Sequence, residues 1–169
     1  MEFSVVAGLV AGLIGTAVMT MMMKMAGAAG MTQMPPMELI SGSMLTGDET
    51  KAKQLGVVVH WIMMGTVVFG LGYALIFSIA GQAGWLLGLG VGVAHGIVVG
   101  MVMAMMPVMH PRMSGPAAAG GPVTVDAAGV HLSAPGPFGV AWGGMTPVGM
   151  IMGHAVYGVV VALVYQALT

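Results

Sequence analysis

The chain has few charged residues and no cysteine, and both shortages restrict what it can be. Aspartate, glutamate, lysine and arginine make up only 5% of its 169 residues, whereas about a quarter is typical of soluble domains. Without cysteine there is no disulfide, no thiolate nucleophile and no zinc ribbon. The formal net charge of -1 also gives no positively charged surface for nucleic acid.

Long apolar segments are what the chain has in place of charge. Hydrophobic residues make up 58% of it, and four segments reach the roughly 20 residues that cross a bilayer. These segments cover about 4–24, 55–80, 84–106 and 146–168. We therefore predict an all-α membrane protein, a single domain over 1–169 with four transmembrane helices in an antiparallel bundle. The second link is only "AGQAG", so the long loops 25–54 and 107–145 lie on one side of the membrane, called here the loop side.

Each long loop contains a segment with a local structural signal. In the first loop, the paired prolines and mixed polarity of "MPPMELISGSML" predict a short interfacial helix. Asp48 and Glu49 then suit the positive end of the helix dipole of the second span. In the second loop, "VTVDAAGVHLS" alternates around a turn signal, which predicts a small hairpin.

Methionine is abundant and unevenly placed. The chain has 21 methionines, and apart from Met1 all of them fall in the half of the protein nearest the loop side. Methionines that only fill space should occur in both halves, because lipid and core are equally apolar at each end. Packing is still the commoner role of a methionine. The one-sided distribution nevertheless indicates that some of the thioethers act as ligands.

Glycine is regularly spaced on two of the helices. Gly8, Gly12 and Gly15 form a stripe on the first helix, which Met19, Met22 and Met23 continue. An every-fourth pattern runs along the third helix. It consists of Gly84, Gly88, Gly92, Gly96 and Gly100. Such patterns allow helix backbones to approach closely in lipid, so this face is also a candidate surface for a homodimer.

Three spans each carry one histidine within the apolar region. His60 shares a helical face with Met63 and Met64, His95 lies beside the glycines of the third helix, and His154 shares a face with Met150 and Tyr157. An ionisable residue inside a span is a functional hypothesis by default. The simpler interpretation is that each neutral imidazole hydrogen-bonds a neighbouring helix. His110 and His131 lie in the second loop, where we expect them to contact solvent.

The motifs "VHWIMMGTVVFGLGYALIF", "WLLGLGVGVAHGIVVG" and "MGHAVYGVVVALVY" resemble the signature helices of the YagU-like proteins and related small bacterial membrane families. The match includes His60, Gly153 and His154 and covers roughly 55–165. The resemblance implies a four-helix protein of the bacterial inner membrane, with a suspected link to acid tolerance. It implies no particular chemistry.

Imidazole and thioether together suit copper, and thioether favours Cu(I). We therefore predict a small polytopic membrane protein that binds or passes a soft metal, with Tyr157 as a hydrogen-bond partner of an imidazole. The predicted metal ligands are His60, His95, His154, Met19, Met22, Met23, Met63, Met64, Met106 and Met150. No carboxylate lies inside the predicted spans and no serine–histidine–acid set is visible, so the sequence gives no support for an enzyme.

Three alternatives remain open at the level of sequence. Two of the histidines could bind the iron of a b-type haem. The glycine faces could dock a structural or assembly subunit into a larger complex, or the histidines could act as an acid-response switch.

The four basic residues also suggest an orientation of the chain in the membrane. Lys24, Lys51, Lys53 and Arg112 are all on the loop side, which by the positive-inside rule places the loops in the cytoplasm and both termini outside.

Overall fold

Four long apolar helices dominate the computed structural model, which describes residues 1–117 and 120–169. Within those residues, four helices are long and apolar enough to cross a membrane. They are α1 (Val5–Ala28), a continuous helix over Glu49–Ala80, α5 (Trp85–Met103) and α7 (Thr146–Leu168). The prediction of four helices long and apolar enough to cross a membrane is therefore confirmed, and their arrangement as an antiparallel bundle stays a prediction. Residues 118 and 119 of the second predicted loop lie outside the described residues.

The second of these helices begins earlier than predicted and changes its geometry along its length. It consists of α3 (Glu49–Val57), a π-helical segment (Val58–Phe69) and α4 (Gly70–Ala80). Asp48 caps its start, because its carboxylate accepts a hydrogen bond of 2.8 Å from the backbone N–H of Lys51. A π-helix pairs residues five apart rather than four. The α-helical phase used to predict faces therefore does not apply over Val58–Phe69.

Short elements occupy the segments predicted to be loops. The expected interfacial segment forms α2 (Met37–Ser43), and a further single turn forms α6 (Met106–Met109). The predicted hairpin is present as β1 (Val123–Asp126) and β2 (Gly129–Leu132), paired antiparallel. Its turn ends at Gly129, whose φ of 113° strongly favours glycine. A short 3-10 segment (Pro137–Trp142) precedes α7.

The described chain divides into two compact units. The helical unit comprises 1–23, 61–96 and 151–169, and the loop unit comprises 24–60 and 97–150. A single membrane domain over 1–169 stays a prediction. Each unit has a hydrophobic core of its own, and the two cores differ in the residues that build them.

Glycine allows the helices of the helical unit to pack backbone to backbone. A Cβ built on Gly12 would lie 2.7 Å from the carbonyl oxygen of Gly65 and 2.7 Å from the Cα of Gly70, so α1 rests directly on the second span. On α5, a Cβ on Gly92 would collide with the carbonyl oxygen of His154 and lie 2.9 Å from the Cα of Ala155. Such contacts are the expected substitute for the hydrophobic effect in lipid.

The regular glycines of α5 are therefore used within the chain itself. Gly88, Gly92 and Gly96 all pack against α7, and Gly100, in the loop unit, packs against the ring of Phe138. Around Gly84 there is open space within 4 Å. A homodimer through this face stays a prediction.

Methionines form part of the core of the loop unit. Met103, Met113 and Met150 are buried there around Trp142. Met34, Met37 and Met106 pack against the same core from partly buried positions. A flexible thioether side chain fits irregular gaps between short elements. Part of the loop-side excess of methionine is therefore packing.

His110 contradicts the expectation of a solvated loop histidine. It is only 3% exposed, and its Nδ1 accepts a hydrogen bond of 3.1 Å from the backbone N–H of Arg112. Its Nε2 therefore carries the proton and donates to the carbonyl of Ile40 at 2.9 Å. Arg112 in turn donates to the carbonyl of Ser43 at 2.7 Å. The physical reason for the burial is that these carbonyls end α2 and need donors from outside the helix. His131 is exposed, as expected.

Candidate functional site

Two of the three predicted intramembrane histidines lie side by side in the helical unit. The ring centroids of His95 on α5 and His154 on α7 are 4.6 Å apart, with the ring planes at 73°. Glycine makes this approach possible, because a Cβ on Gly96 would lie 3.1 Å from the Cβ of His154. Gly92 and Gly96 precede and follow His95 on α5. Because neither has a side chain, α7 can approach α5 closely at the turn that carries His95.

Aromatic side chains from the second span surround His95. Its ring centroid is 4.1 Å from that of Phe69, and the hydroxyl of Tyr73 lies 3.3 Å from Nδ1. The other ring nitrogen, Nε2, is shielded from solvent and has no hydrogen-bond partner among the described residues. A buried polar atom without a partner costs about 1–3 kcal/mol. Such an atom in a cluster of imidazole and phenol groups is a natural position for a ligand.

The hydroxyl of Tyr157 contacts a backbone carbonyl, and its role as a hydrogen-bond partner of an imidazole stays a prediction. Its hydroxyl donates a hydrogen bond of 2.8 Å to the carbonyl of Gly65, and its ring centroid is 6.1 Å from that of His95. Tyr73, which sequence reasoning missed, lies within hydrogen-bonding distance of the His95 imidazole. The sequence does contain a signal for the role of Tyr73. A buried tyrosine hydroxyl needs a polar partner, and Tyr73 lies in the middle of an apolar span.

Methionine side chains of α1 lie next to the histidine pair. A Cβ built on Gly153 would be 3.6 Å from the Cγ of Met19 and 3.6 Å from the Sδ of Met23. Gly153 directly precedes His154 on α7. Met22 is half-buried on the same helix. The predicted continuation of the α1 glycine stripe into methionine thus brings two thioethers to the turn of α7 that carries His154.

Met63 and Met64 lie at the surface of the chain. Met63 is 51% exposed and Met64 is 38% exposed. Their prediction as metal ligands on the same face as His60 assumed an α-helical phase. Both residues lie in the π-helical segment, where the larger number of residues per turn rotates each side chain away from its α-helical position.

The remaining predicted ligands belong to the loop unit. His60 is half-buried near the start of the π-helical segment. Met150 is 3% exposed and forms part of the methionine-containing core, and Met106 packs against that core. The participation of these three residues in a common site with His95 and His154 stays a prediction.

The donors that the structure brings together are two imidazoles with thioethers nearby. Within 1–117 and 120–169, no three histidine, aspartate or glutamate side chains form a group that could hold a metal. The donor atoms at His95 and His154 are therefore imidazole nitrogen and thioether sulfur. Such a set can coordinate a soft metal or hold a proton between two imidazoles.

No family model, curated protein or solved structure matches the chain. The resemblance to the YagU-like proteins stays a prediction that rests on the motifs quoted above.

Proposed function

We propose that the protein binds a soft metal ion, Cu(I), at His95 and His154, and that methionine thioethers pass the ion to this pair. The observation that supports the proposal most directly is the Nε2 atom of His95, which is buried and lacks a hydrogen-bond partner among the described residues. A metal ion bound at Nε2 would give this nitrogen a partner. Such a site needs no charged side chain in the membrane interior.

The identity of the ion follows from the chemistry of the available ligands. Thioether sulfur and imidazole nitrogen favour Cu(I), whereas Mg²⁺, Ca²⁺ and Mn²⁺ favour carboxylate and carbonyl oxygen. Cu(I) is also stable with few ligands, which suits a pair of imidazoles. Because thioethers are uncharged, they cost little free energy to bury beside a transit path.

A haem between the same two histidines is less well supported. The ring centroids of His95 and His154 are 4.6 Å apart, so the two rings are in contact and leave no space for a porphyrin plane between them. A visible Soret band in the purified protein would nevertheless reveal haem at once and would contradict the copper proposal.

The test is competition for Cu(I) between the purified protein and a chromogenic Cu(I) chelator in detergent. We expect the parent to retain one ion against the chelator. His95→Ala and His154→Ala should each weaken binding about tenfold or more, since even the loss of an outer hydrogen bond to a metal ligand has an effect of that size. His131→Ala removes an exposed histidine from the hairpin and is the matched control. Equal binding by the parent and both site variants would refute the proposal.

We also propose that the chain crosses the bacterial inner membrane as an antiparallel four-helix bundle with its loops in the cytoplasm. The support is the distribution of charge, because Lys24, Lys51, Lys53 and Arg112 all belong to the predicted loop side. A cysteine introduced at the exposed Ser114 tests the orientation with an impermeant thiol reagent. The reagent should label this cysteine only after the cells are opened, and labelling of intact cells would reverse the assignment.

A further inference from the structure

We infer that Tyr73 is a positioning residue that sets which ring nitrogen of His95 carries the proton. The inference rests on the proposed metal site and names the side chain that regulates it. Tyr73 lies on α4, and its hydroxyl is 3.3 Å from Nδ1 of His95. Its ring also packs edge-to-face against that of Tyr157, with centroids 5.3 Å apart, so the hydroxyl is held in place by the aromatic cluster.

The metal-free protein should hold His95 as the Nε2–H tautomer. If Tyr73 donates its O–H to Nδ1, the Nε2–H is the one group of this pair left unsatisfied within 1–117 and 120–169. If Nδ1–H donates to Tyr73 instead, the phenol proton and the Nε2 lone pair both lack partners in this part of the chain. Since each buried unsatisfied polar group costs about 1–3 kcal/mol, the first arrangement is the more stable.

Metal binding at Nε2 requires the opposite tautomer. The lone pair of Nε2 must be free, so the proton moves from Nε2 to Nδ1 and the imidazole stays neutral. Tyr73 then changes from hydrogen-bond donor to acceptor and receives the Nδ1–H. Histidines that bind metals almost always donate their second ring N–H to such a partner, which fixes the ring and raises its basicity. The same hydroxyl thus serves both states of His95.

Tyr157 supplies the matched control. It belongs to the same aromatic cluster, but its hydroxyl donates to the carbonyl of Gly65. Tyr73→Phe and Tyr157→Phe each remove one hydroxyl and keep the ring. Only the first should alter His95. We expect Tyr73→Phe to weaken Cu(I) binding about 10- to 100-fold, while Tyr157→Phe leaves it unchanged.

The decisive readout is the tautomer itself, measured by nitrogen-15 NMR of imidazole-labelled protein in detergent, with the His95 signal assigned from His95→Gln. We expect Nε2–H in the metal-free parent, Nδ1–H after addition of diamagnetic Cu(I), and a mixture of tautomers in metal-free Tyr73→Phe. A metal-free Tyr73→Phe spectrum identical to that of the parent would overturn the inference. If the parent binds no Cu(I), the proposed function fails, and the metal-free spectra alone still decide the role of Tyr73.

Discussion

Histidine residues in this protein differ mainly in what surrounds their imidazole rings. His95 and His154 contact each other among aromatic rings, and His95 has a nitrogen without a partner among the described residues. His110 is only 3% exposed and has both ring nitrogens hydrogen-bonded. His131 is exposed beside Asp126. The same side chain is thus a ligand candidate, a structural link and a surface group in one chain.

His110→Ala should destabilise the protein although the residue lies outside the spans. The change leaves the N–H of Arg112 without its acceptor and leaves the carbonyl of Ile40 with only the hydrogen bond of 3.1 Å from the hydroxyl of Ser43, at a cost of about 1–3 kcal/mol for a buried group left unsatisfied. The free energy of unfolding, measured by titration with a denaturing detergent, should fall accordingly. His131→Ala is the control and should change it by less than about 0.5 kcal/mol. Equal stability of the two variants would mean that His110 does not link the second loop to α2.

At the scale of elements, the spacing of the glycines predicted well which helix faces pack closely. The positions of the methionines along the helices predicted contacts for some residues and not for others. Gly8 and Gly12 of the α1 stripe do meet a neighbouring backbone, as do Gly88, Gly92 and Gly96 of α5. Met63 and Met64, predicted as ligands on the face of His60, are exposed, and the π-helical segment that carries them has no signature in the sequence. Likewise, no local pattern indicates that His110 would be needed as a donor for the end of α2. Local signals identify the elements, whereas partners distant in the chain decide burial.

Gly92→Ala should weaken the packing of α5 on α7. The added Cβ would collide with the carbonyl oxygen of His154, so either the helix or the histidine must shift. Overpacking of this kind costs about 1–3 kcal/mol. Gly90→Ala lies on the same helix with open space around it, so it serves as the control for helix propensity alone. Thermal unfolding in detergent should separate the two variants, and similar melting temperatures would argue against close packing at Gly92.

The α1 methionines should matter for copper where surface methionines do not. Met19→Leu with Met23→Leu keeps apolar volume but removes two thioethers next to the turn of His154. We expect this double variant to bind Cu(I) more weakly than the parent in the chelator competition. Met63→Leu with Met64→Leu makes the same chemical change at exposed positions and should have no effect. If both double variants bind copper like the parent, the α1 methionines are packing residues.

For the molecule as a whole, the one-sided distribution of methionine has two explanations that act together. The core of the loop unit contains Met103, Met113 and Met150. Composition alone could not distinguish this packing role from a role as metal ligands. Met19 and Met23 lie against the residue that precedes His154 in the helical unit. The low charge and the length of the apolar segments were enough to predict the spans. The sequence analysis predicted His95 and His154 within the spans and in one set of metal ligands, whereas the contact between their rings depends on helix packing.

The most direct test of the copper site is X-ray absorption spectroscopy at the copper edge, on protein loaded with one equivalent of Cu(I) in detergent. We predict a Cu(I) edge and a first coordination shell that contains imidazole nitrogen, with the outer scattering of histidine rings and a sulfur contribution from thioether. His95→Ala should lose part of the imidazole scattering, and Met19→Leu with Met23→Leu should lose sulfur. A spectrum without imidazole scattering, or one that both variants leave unchanged, would contradict the assignment of the metal to His95 and His154.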